Sequence, residues 1–183
     1  LLELGSAIIS DVLEAMVVDG RLQLAEVEGK RVVYVYGYYK AECTIAGKLA
    51  AMANPPKGLV KVCANAEAML RKAEGETGIA LSAQQKEAVR VALRSGVSII
   101  TGGPGTGKTT VIRTLLSMLE GGGLKTAVAA PTGRAAKRIM ETSGHYACTI
   151  HRLLEYYYDE MASGMAFGRN ALQPLECQAV IID

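Results

Sequence analysis

The sequence predicts an α/β fold in which a parallel β-sheet carries helices on both of its faces. A short apolar run at 97–101 leads through a Gly-rich loop into a helical apolar pattern at 111–119. Two further apolar runs follow at 126–130 and 179–182. Short apolar runs that alternate with helical patterns are typical of buried parallel strands joined by helices. A smaller α+β domain is predicted to precede this sheet.

Composition narrows the possible classes of protein. Half of the 183 residues are apolar and 21% are charged, which indicates a globular chain with a hydrophobic core. The formal charge of +2 is close to neutral, so any nucleic-acid site must be a local basic patch. The four cysteines show no metal-binding spacing and predict reduced thiols in a cytoplasmic protein. No apolar run approaches the roughly 18 residues of a membrane span.

Both ends of the sequence suggest a piece of a longer protein. The chain starts at Leu1 without a methionine and stops at Asp183, directly after an apolar run that is typical of a core strand. We therefore expect further chain on each side.

Residues 1–75 are predicted to form a small winged-helix-like domain with connecting helices. Apolar residues at helical spacing cover 8–17, and two β-type runs follow at 22–27 and 31–36. This helix–hairpin order favours either a scaffold domain or a wing that contacts DNA. The tyrosines nearby predict a packed sheet face, with base stacking as the alternative; they are Tyr34, Tyr36, Tyr38 and Tyr39.

Two more helices are predicted between this hairpin and the second domain. They cover about 41–52 and 64–73, and the stretch Asn54-Pro55-Pro56 separates them. Gly75 and Gly78 then mark the predicted linker, so that the second domain covers 76–183.

The Gly-rich loop is a phosphate-binding P-loop. Gly102, Gly107, Lys108 and Thr109 satisfy the pattern G-x-x-x-x-G-K-[ST]. Glycines let the backbone turn its N–H groups inward as a nest for anionic oxygens. The lysine supplies charge to the β- and γ-phosphates, and the threonine hydroxyl is a ligand for Mg²⁺. The alternative is a plain Gly-rich turn, which the strand before the loop and the helix after it disfavour.

Other segments carry weaker signals of their own. Ser82 and Gln85 form a predicted capping box at the start of a helix. The turn that begins at Pro131 precedes three cations, which suits a phosphate backbone but also a solvated helix face. Thr149 is a predicted N-cap. Asp183 follows an apolar run, as the Mg²⁺-associated acid of a Walker B strand does.

Taken together, five segments resemble the RecD-type superfamily 1 DNA helicases in order and spacing. This family includes stand-alone RecD-type helicases and the alpha subunit of exodeoxyribonuclease V. The helix–hairpin region is similar, more weakly, to the part that precedes the motor in the stand-alone members. The matching segments are L-S-A-Q-Q-K-E-A-V (81–89), G-G-P-G-T-G-K-T-T (102–110), A-P-T-G-R-A-A-K-R (130–138), T-I-H-R-L-L (149–154) and V-I-I-D (180–183).

The resemblance implies a RecA-like P-loop NTPase domain, cut at its Walker B strand, that uses ATP and Mg²⁺. Lys108 and Asp183 would be catalytic, Thr109 and Asp183 would hold the metal, and Gln85 would contact adenine. The triphosphate would be held by Gly103, Pro104, Gly105, Thr106, Gly107, Lys108, Thr109 and Thr110. The single-stranded DNA would be contacted by Pro131, Thr132, Gly133, Arg134, Thr149 and His151.

The activity implied for the intact protein is ATP-dependent 5′ to 3′ DNA unwinding in repair and recombination in the bacterial cytoplasm. Its implied partners are single-stranded DNA and other subunits of a recombination nuclease complex, without a membrane. We expect the 183-residue chain alone to be inactive, because the water-activating acid and the second motor domain lie outside it. Two alternatives are the helicase part of a conjugative relaxase and a nucleotide-switched DNA-binding module without motor activity.

Overall fold

A computed structural model describes residues 6–161 and 163–183, apart from the side chains of residues 6, 7 and 77. The chain divides into two compact units, of which the first ends at Ala53 and the second runs from Asn54 to Asp183. The part of the predicted first domain at 1–5 lies outside the described residues. Among the described residues, no helix is both long and apolar enough to cross a bilayer.

The first unit is a helix, a hairpin and a second helix. Its elements are α1 (Ser6–Val18), β1 (Leu22–Val27), β2 (Lys30–Val35) and α2 (Tyr36–Met52). The antiparallel hairpin turns at Glu28 and Gly29, which both have positive φ (51° and 74°), as a tight two-residue turn requires. The helix–hairpin order agrees with the sequence prediction, whereas the winged-helix assignment stays a prediction.

One detail of the tyrosine prediction is wrong. Tyr36, Tyr38 and Tyr39 lie on α2 and not on a strand. The paired residues of the hairpin end at Leu22↔Val35. Helix α2 begins at the next residue, Tyr36, whose N–H donates to the carbonyl of Arg21 (3.0 Å).

The second unit contains a three-stranded parallel sheet in the order β4-β3-β7, together with its helices and a separate two-stranded hairpin, β5-β6. This confirms the predicted α/β class. Its helices are α3 (Lys57–Ala64), α4 (Ala66–Thr77), α5 (Ala83–Arg94), α6 (Lys108–Gly121), α7 (Gly133–Ser143) and α8 (Ile150–Leu153). Its strands are β3 (Thr126–Ala130), β4 (Cys148–Thr149), β5 (Tyr156–Asp159), β6 (Gly164–Phe167) and β7 (Ala179–Ile182).

Helix α6 is the centre of this unit, because it contributes to two apolar clusters. Met118 and Leu119 pack with residues of α3, α4 and α5 in the first cluster. Ile112 and Leu116 pack with residues of β3 and α7 in the second. A helix that is apolar on nearly all sides must be buried. The P-loop therefore leads directly into the most buried helix of the unit.

The division between the units falls earlier in the chain than the predicted boundary at 75/76. Val62 of α3 and Leu70 of α4 are 2% and 3% exposed and belong to the same cluster as Met118. The predicted linker does not separate two units, since Gly75 lies within α4 and Leu81, just after the linker, is 6% exposed. Helices α3 and α4 therefore belong to the second unit, because their apolar faces are buried there.

The predicted strand at 97–101 is not formed in the described structure. Ile100 packs against the first apolar cluster, but Ile99 is 86% exposed. The segment is hydrogen-bonded to none of the described strands, since the sheet consists of β4, β3 and β7. A strand requires a neighbour that pairs with its backbone groups, and an apolar run alone does not provide one.

Glu74 connects the end of α4 to the start of α5. It accepts a hydrogen bond from the Leu81 N–H (2.7 Å) and another from Lys86 Nζ (3.0 Å). The Leu81 bond, followed by that of Lys86, lowers the pKa of Glu74 below its usual value of 4.5. Because the pKa of Glu74 is lower in the folded chain than in the unfolded chain, its ionised carboxylate stabilises the fold above the unfolded pKa. This stability is lost as the pH falls through the folded pKa.

We therefore expect Glu74→Gln to reduce the loss of stability that the chain undergoes below about pH 4.5. Urea unfolding at pH 7 and at several values down to pH 3 would measure this. Glu160→Gln is the control, because Glu160 forms no ion pair within the described part of the chain. Identical pH profiles for wild type and Glu74→Gln would contradict the assignment.

Candidate nucleotide and DNA site

The P-loop has the backbone geometry of an anion nest. Gly105 and Gly107 have φ of 76° and 81°, in the left-handed region that favours glycine. A Cβ at Gly102 would lie 2.6 Å from Thr106 Oγ1, so a side chain here would displace that hydroxyl. Gly107 is the N-cap of α6. The first N–H groups of that helix have no carbonyl within the helix to which they can donate. They therefore favour an anion at the loop.

Lys108 lies inside this loop. Its ammonium donates to the carbonyl oxygens of Gly102 (2.6 Å) and Gly103 (2.8 Å). Thr106 Oγ1 donates to the same Gly103 carbonyl (2.9 Å). The positive charge is thus held among backbone groups where phosphate oxygens can replace the carbonyls as acceptors. These observations fit a bound triphosphate.

Gln85 combines the predicted capping box with a contact that the sequence did not predict. The Gln85 N–H donates to Ser82 Oγ (3.2 Å), and the Ser82 N–H donates to Gln85 Oε1 (2.9 Å). In addition, Gln85 Nε2 donates to the carbonyl of Thr106 (3.1 Å), 21 residues away. No local sequence pattern marks a bond across that distance in the chain.

The two predicted DNA segments lie side by side in the structure. Strands β3 and β4 are parallel, with Ala130 opposite Thr149. The turn that starts at Pro131 and the segment from Thr149 to His151 therefore leave the sheet at the same edge, where the carboxyl ends of strands form ligand sites. Each segment starts a helix, since Thr132 accepts from the Ala135 N–H and Thr149 from the Arg152 N–H, both at 3.2 Å.

Helix α7, which starts at this edge, also carries positive charge that pairs with no described acid. Arg134 and Arg138 are exposed and form no ion pair with any described residue. Lys137, by contrast, lies 3.8 Å from Glu141 on the same helix. Two guanidinium groups are therefore available to an external anion, as phosphate binding requires.

Asp183 lies at the same edge of the sheet. β7 pairs with β3 so that Ile182 is opposite Ala129, and the Asp183 N–H donates to the carbonyl of Ala129 (3.1 Å). The predicted metal ligands are thus a carboxylate at this edge and the hydroxyl of Thr109 in the first turn of α6. Both are hard oxygen ligands of the kind that Mg²⁺ prefers, so the residue types fit the ion.

The hairpin β5–β6 presents a row of exposed aromatic rings beside this edge. The His151 and Tyr156 rings are 5.1 Å apart, edge to face, and Tyr156 and Phe167 are 4.8 Å apart. The sequence did not predict a hairpin here. It also gave no indication that Arg169 Nε donates to Glu155 Oε1 (2.9 Å) at the base of the hairpin.

Comparison with known proteins places this site in a family. The AAA domain family matches residues 85–183, which is more than half of the chain. The chain is 40% identical over 85 residues to the ATP-dependent RecD2 DNA helicase of Deinococcus radiodurans, covering 46% of this chain and 11% of that protein. It is 40% identical over 94 residues to the RecBCD enzyme subunit RecD of Mycolicibacterium smegmatis, covering 39% and 17%.

A third relative is the RecBCD enzyme subunit RecD of Haemophilus influenzae, which is 51% identical over 61 residues, covering 32% of this chain and 10% of the relative. The chain thus matches only a small part of the length of these curated relatives. The P-loop, the order of the segments around it and these matches together show that the chain belongs to the AAA domain family and is RecD-like.

Proposed function

We propose that this chain supplies the nucleotide-binding part of an ATP-dependent DNA helicase that acts in repair and recombination. The observation that carries the proposal is the meeting of Asp183 and both predicted DNA segments at one edge of one sheet. A motor requires the nucleotide site and the DNA site to be close together, because the bound nucleotide must change the affinity for DNA. The names of the relatives support the same function.

Each residue has a role in this proposal. Lys108 exchanges its two carbonyl acceptors for oxygens of the β- and γ-phosphates, and the N–H groups of the loop and of α6 bind the remaining oxygens. Thr109 and Asp183 would hold Mg²⁺. The ion, when bound, neutralises charge that develops on the transferring phosphate.

Single-stranded DNA is the proposed partner at the adjacent edge. Arg134, the helix start at Thr132 and the segment at His151 offer positive charge and backbone donors, which position a strand without reading its sequence. Movement in the 5′ to 3′ direction, other subunits of a nuclease complex as partners and a cytoplasmic location are parts of the same proposal. The relaxase and switch alternatives have no observation of their own in their favour.

Single-turnover ATP hydrolysis, with and without single-stranded DNA, tests the proposal on a longer protein that contains this chain. DNA-stimulated hydrolysis together with strand separation is expected. Nucleotide-dependent DNA binding without hydrolysis would instead support a switch and would contradict the motor.

The Arg134→Ala variant should bind single-stranded DNA with a weaker dependence on salt. Losing one phosphate contact is expected to reduce the slope of log K against log salt by about 0.7. Titration of a labelled oligonucleotide at several salt concentrations would measure it. Arg94→Ala is the control, because Arg94 is an exposed arginine at the end of α5, outside both predicted DNA segments. An unchanged slope in Arg134→Ala would mean that this cation is only solvated.

A further inference from the structure

We propose that Gln85 is a positioning residue for the P-loop, so that it contributes to the affinity for a triphosphate even where the ligand has no base. The inference rests on the proposed nucleotide-binding function and specifies how that site is held. It adds to the adenine contact that the family resemblance implies for this residue, since the amide has one N–H and one oxygen lone pair beyond these two bonds.

Contacts within the protein fix the orientation of the Gln85 amide. Its oxygen faces a donor, the Ser82 N–H, and its nitrogen faces an acceptor, the Thr106 carbonyl. Rotating the amide by half a turn would bring oxygen against oxygen and nitrogen against N–H, and both bonds would be lost. The side chain therefore forms a bridge from the first turn of α5 to the P-loop.

This bridge orients one hydrogen-bond donor of the loop, the Gly107 N–H. In a trans peptide, the carbonyl of one residue and the N–H of the next point in opposite directions. Because the Thr106 carbonyl is held towards α5, the Gly107 N–H points away from α5. In a P-loop, N–H groups that point inward are the ones that bind phosphate.

The loop is also shaped around this amide. Gly107 has φ of 81°, and a Cβ added there would collide with Gln85 Nε2. The absence of a side chain at Gly107 therefore lets the glutamine reach the Thr106 carbonyl. The contact lies where the loop becomes α6, next to Lys108, so it acts on the phosphate-binding part of the site.

The test compares ligands that share the triphosphate but not the base. Affinities of the 183-residue chain for ATP, GTP and inorganic tripolyphosphate would be measured calorimetrically with Mg²⁺. Gln85→Ala is expected to weaken the binding of all three, and that of tripolyphosphate, which has no base, by about three- to tenfold, which corresponds to one hydrogen bond. Ser82→Ala is the control, because it removes half of the capping box but leaves the Gln85–Thr106 bond.

Three outcomes would overturn the inference: a loss confined to ATP, no loss in Gln85→Ala, or an equal loss in Ser82→Ala. If Gln85→Ala does not fold, Gln85→Met is measured with the same expectation, because it keeps the length and helix propensity of the side chain. Absence of binding by the wild type would overturn the proposed function together with the inference. If Lys108→Ala abolishes ATP binding but Gln85→Ala weakens the binding of ATP alone, the proposed function stands and only the inference is overturned.

Discussion

Replacing Lys108 with alanine is expected to abolish triphosphate binding while leaving the fold intact. The ammonium is the one side-chain cation that the P-loop pattern places against the β- and γ-phosphates. Hydrogen bonds to charged groups contribute about 1.5–3 kcal/mol each. Loss of two such bonds therefore weakens affinity on the order of 100-fold or more. Calorimetric titration with ATP and Mg²⁺ would measure this effect.

The same variant should unfold at nearly the wild-type temperature. The bonds that Lys108 forms to the carbonyls of Gly102 and Gly103 are solvent-accessible, so water can replace them. Lys125→Ala is the matched control, since it removes an exposed lysine just beyond the other end of α6. Unchanged affinity in Lys108→Ala, or an equal loss in Lys125→Ala, would contradict the P-loop assignment.

The parts of the fold that the sequence predicted are those specified by local signals. α5 begins at Ala83 behind its capping box, as Ser82 and Gln85 predict. β3 covers the predicted residues 126–130. Both depend on residues a few positions apart, which periodicity and capping patterns capture.

The predictions that failed depend on partners far away in the chain. The apolar run at 97–101 has strand composition, but no described strand pairs with it. The second unit begins at Asn54, before the predicted boundary, because Val62 and Leu70 are buried against α6. No change in amino-acid composition marks this position. α3 is short and was not predicted, because eight residues contain too few helical repeats to be recognised.

The candidate site shows the same contrast. Family segments located the P-loop, the basic turn and Asp183, whereas parallel pairing brought the turn and Asp183 to one edge of the sheet. The Gln85–Thr106 bond was not predictable, because it joins two segments whose separation depends on the packing of α5 and α6. The amino-acid pattern thus predicts candidate reacting groups, and the tertiary structure adds contacts between distant segments that the pattern does not contain.

Those contacts lead to a second large expected effect, at Gly107. Gly107→Ala is expected to weaken triphosphate binding more than Gln85→Ala does, and also to lower stability. An alanine at φ of 81° is strained, and its Cβ would collide with Gln85 Nε2. Backbone strain of this kind costs about 1–3 kcal/mol. The collision displaces either the glutamine or the loop, and each displacement disturbs the nest.

Gly105→Ala separates the two causes. Gly105 has a similar φ of 76°, but a Cβ there would meet no described atom within 4 Å, so only strain remains. We expect urea unfolding to show a larger loss of stability for Gly107→Ala than for Gly105→Ala. In a Gln85→Ala background the collision is absent, so the additional cost of Gly107→Ala should fall to that of Gly105→Ala. Strictly additive losses in the double variant would show that Gln85 and Gly107 do not interact.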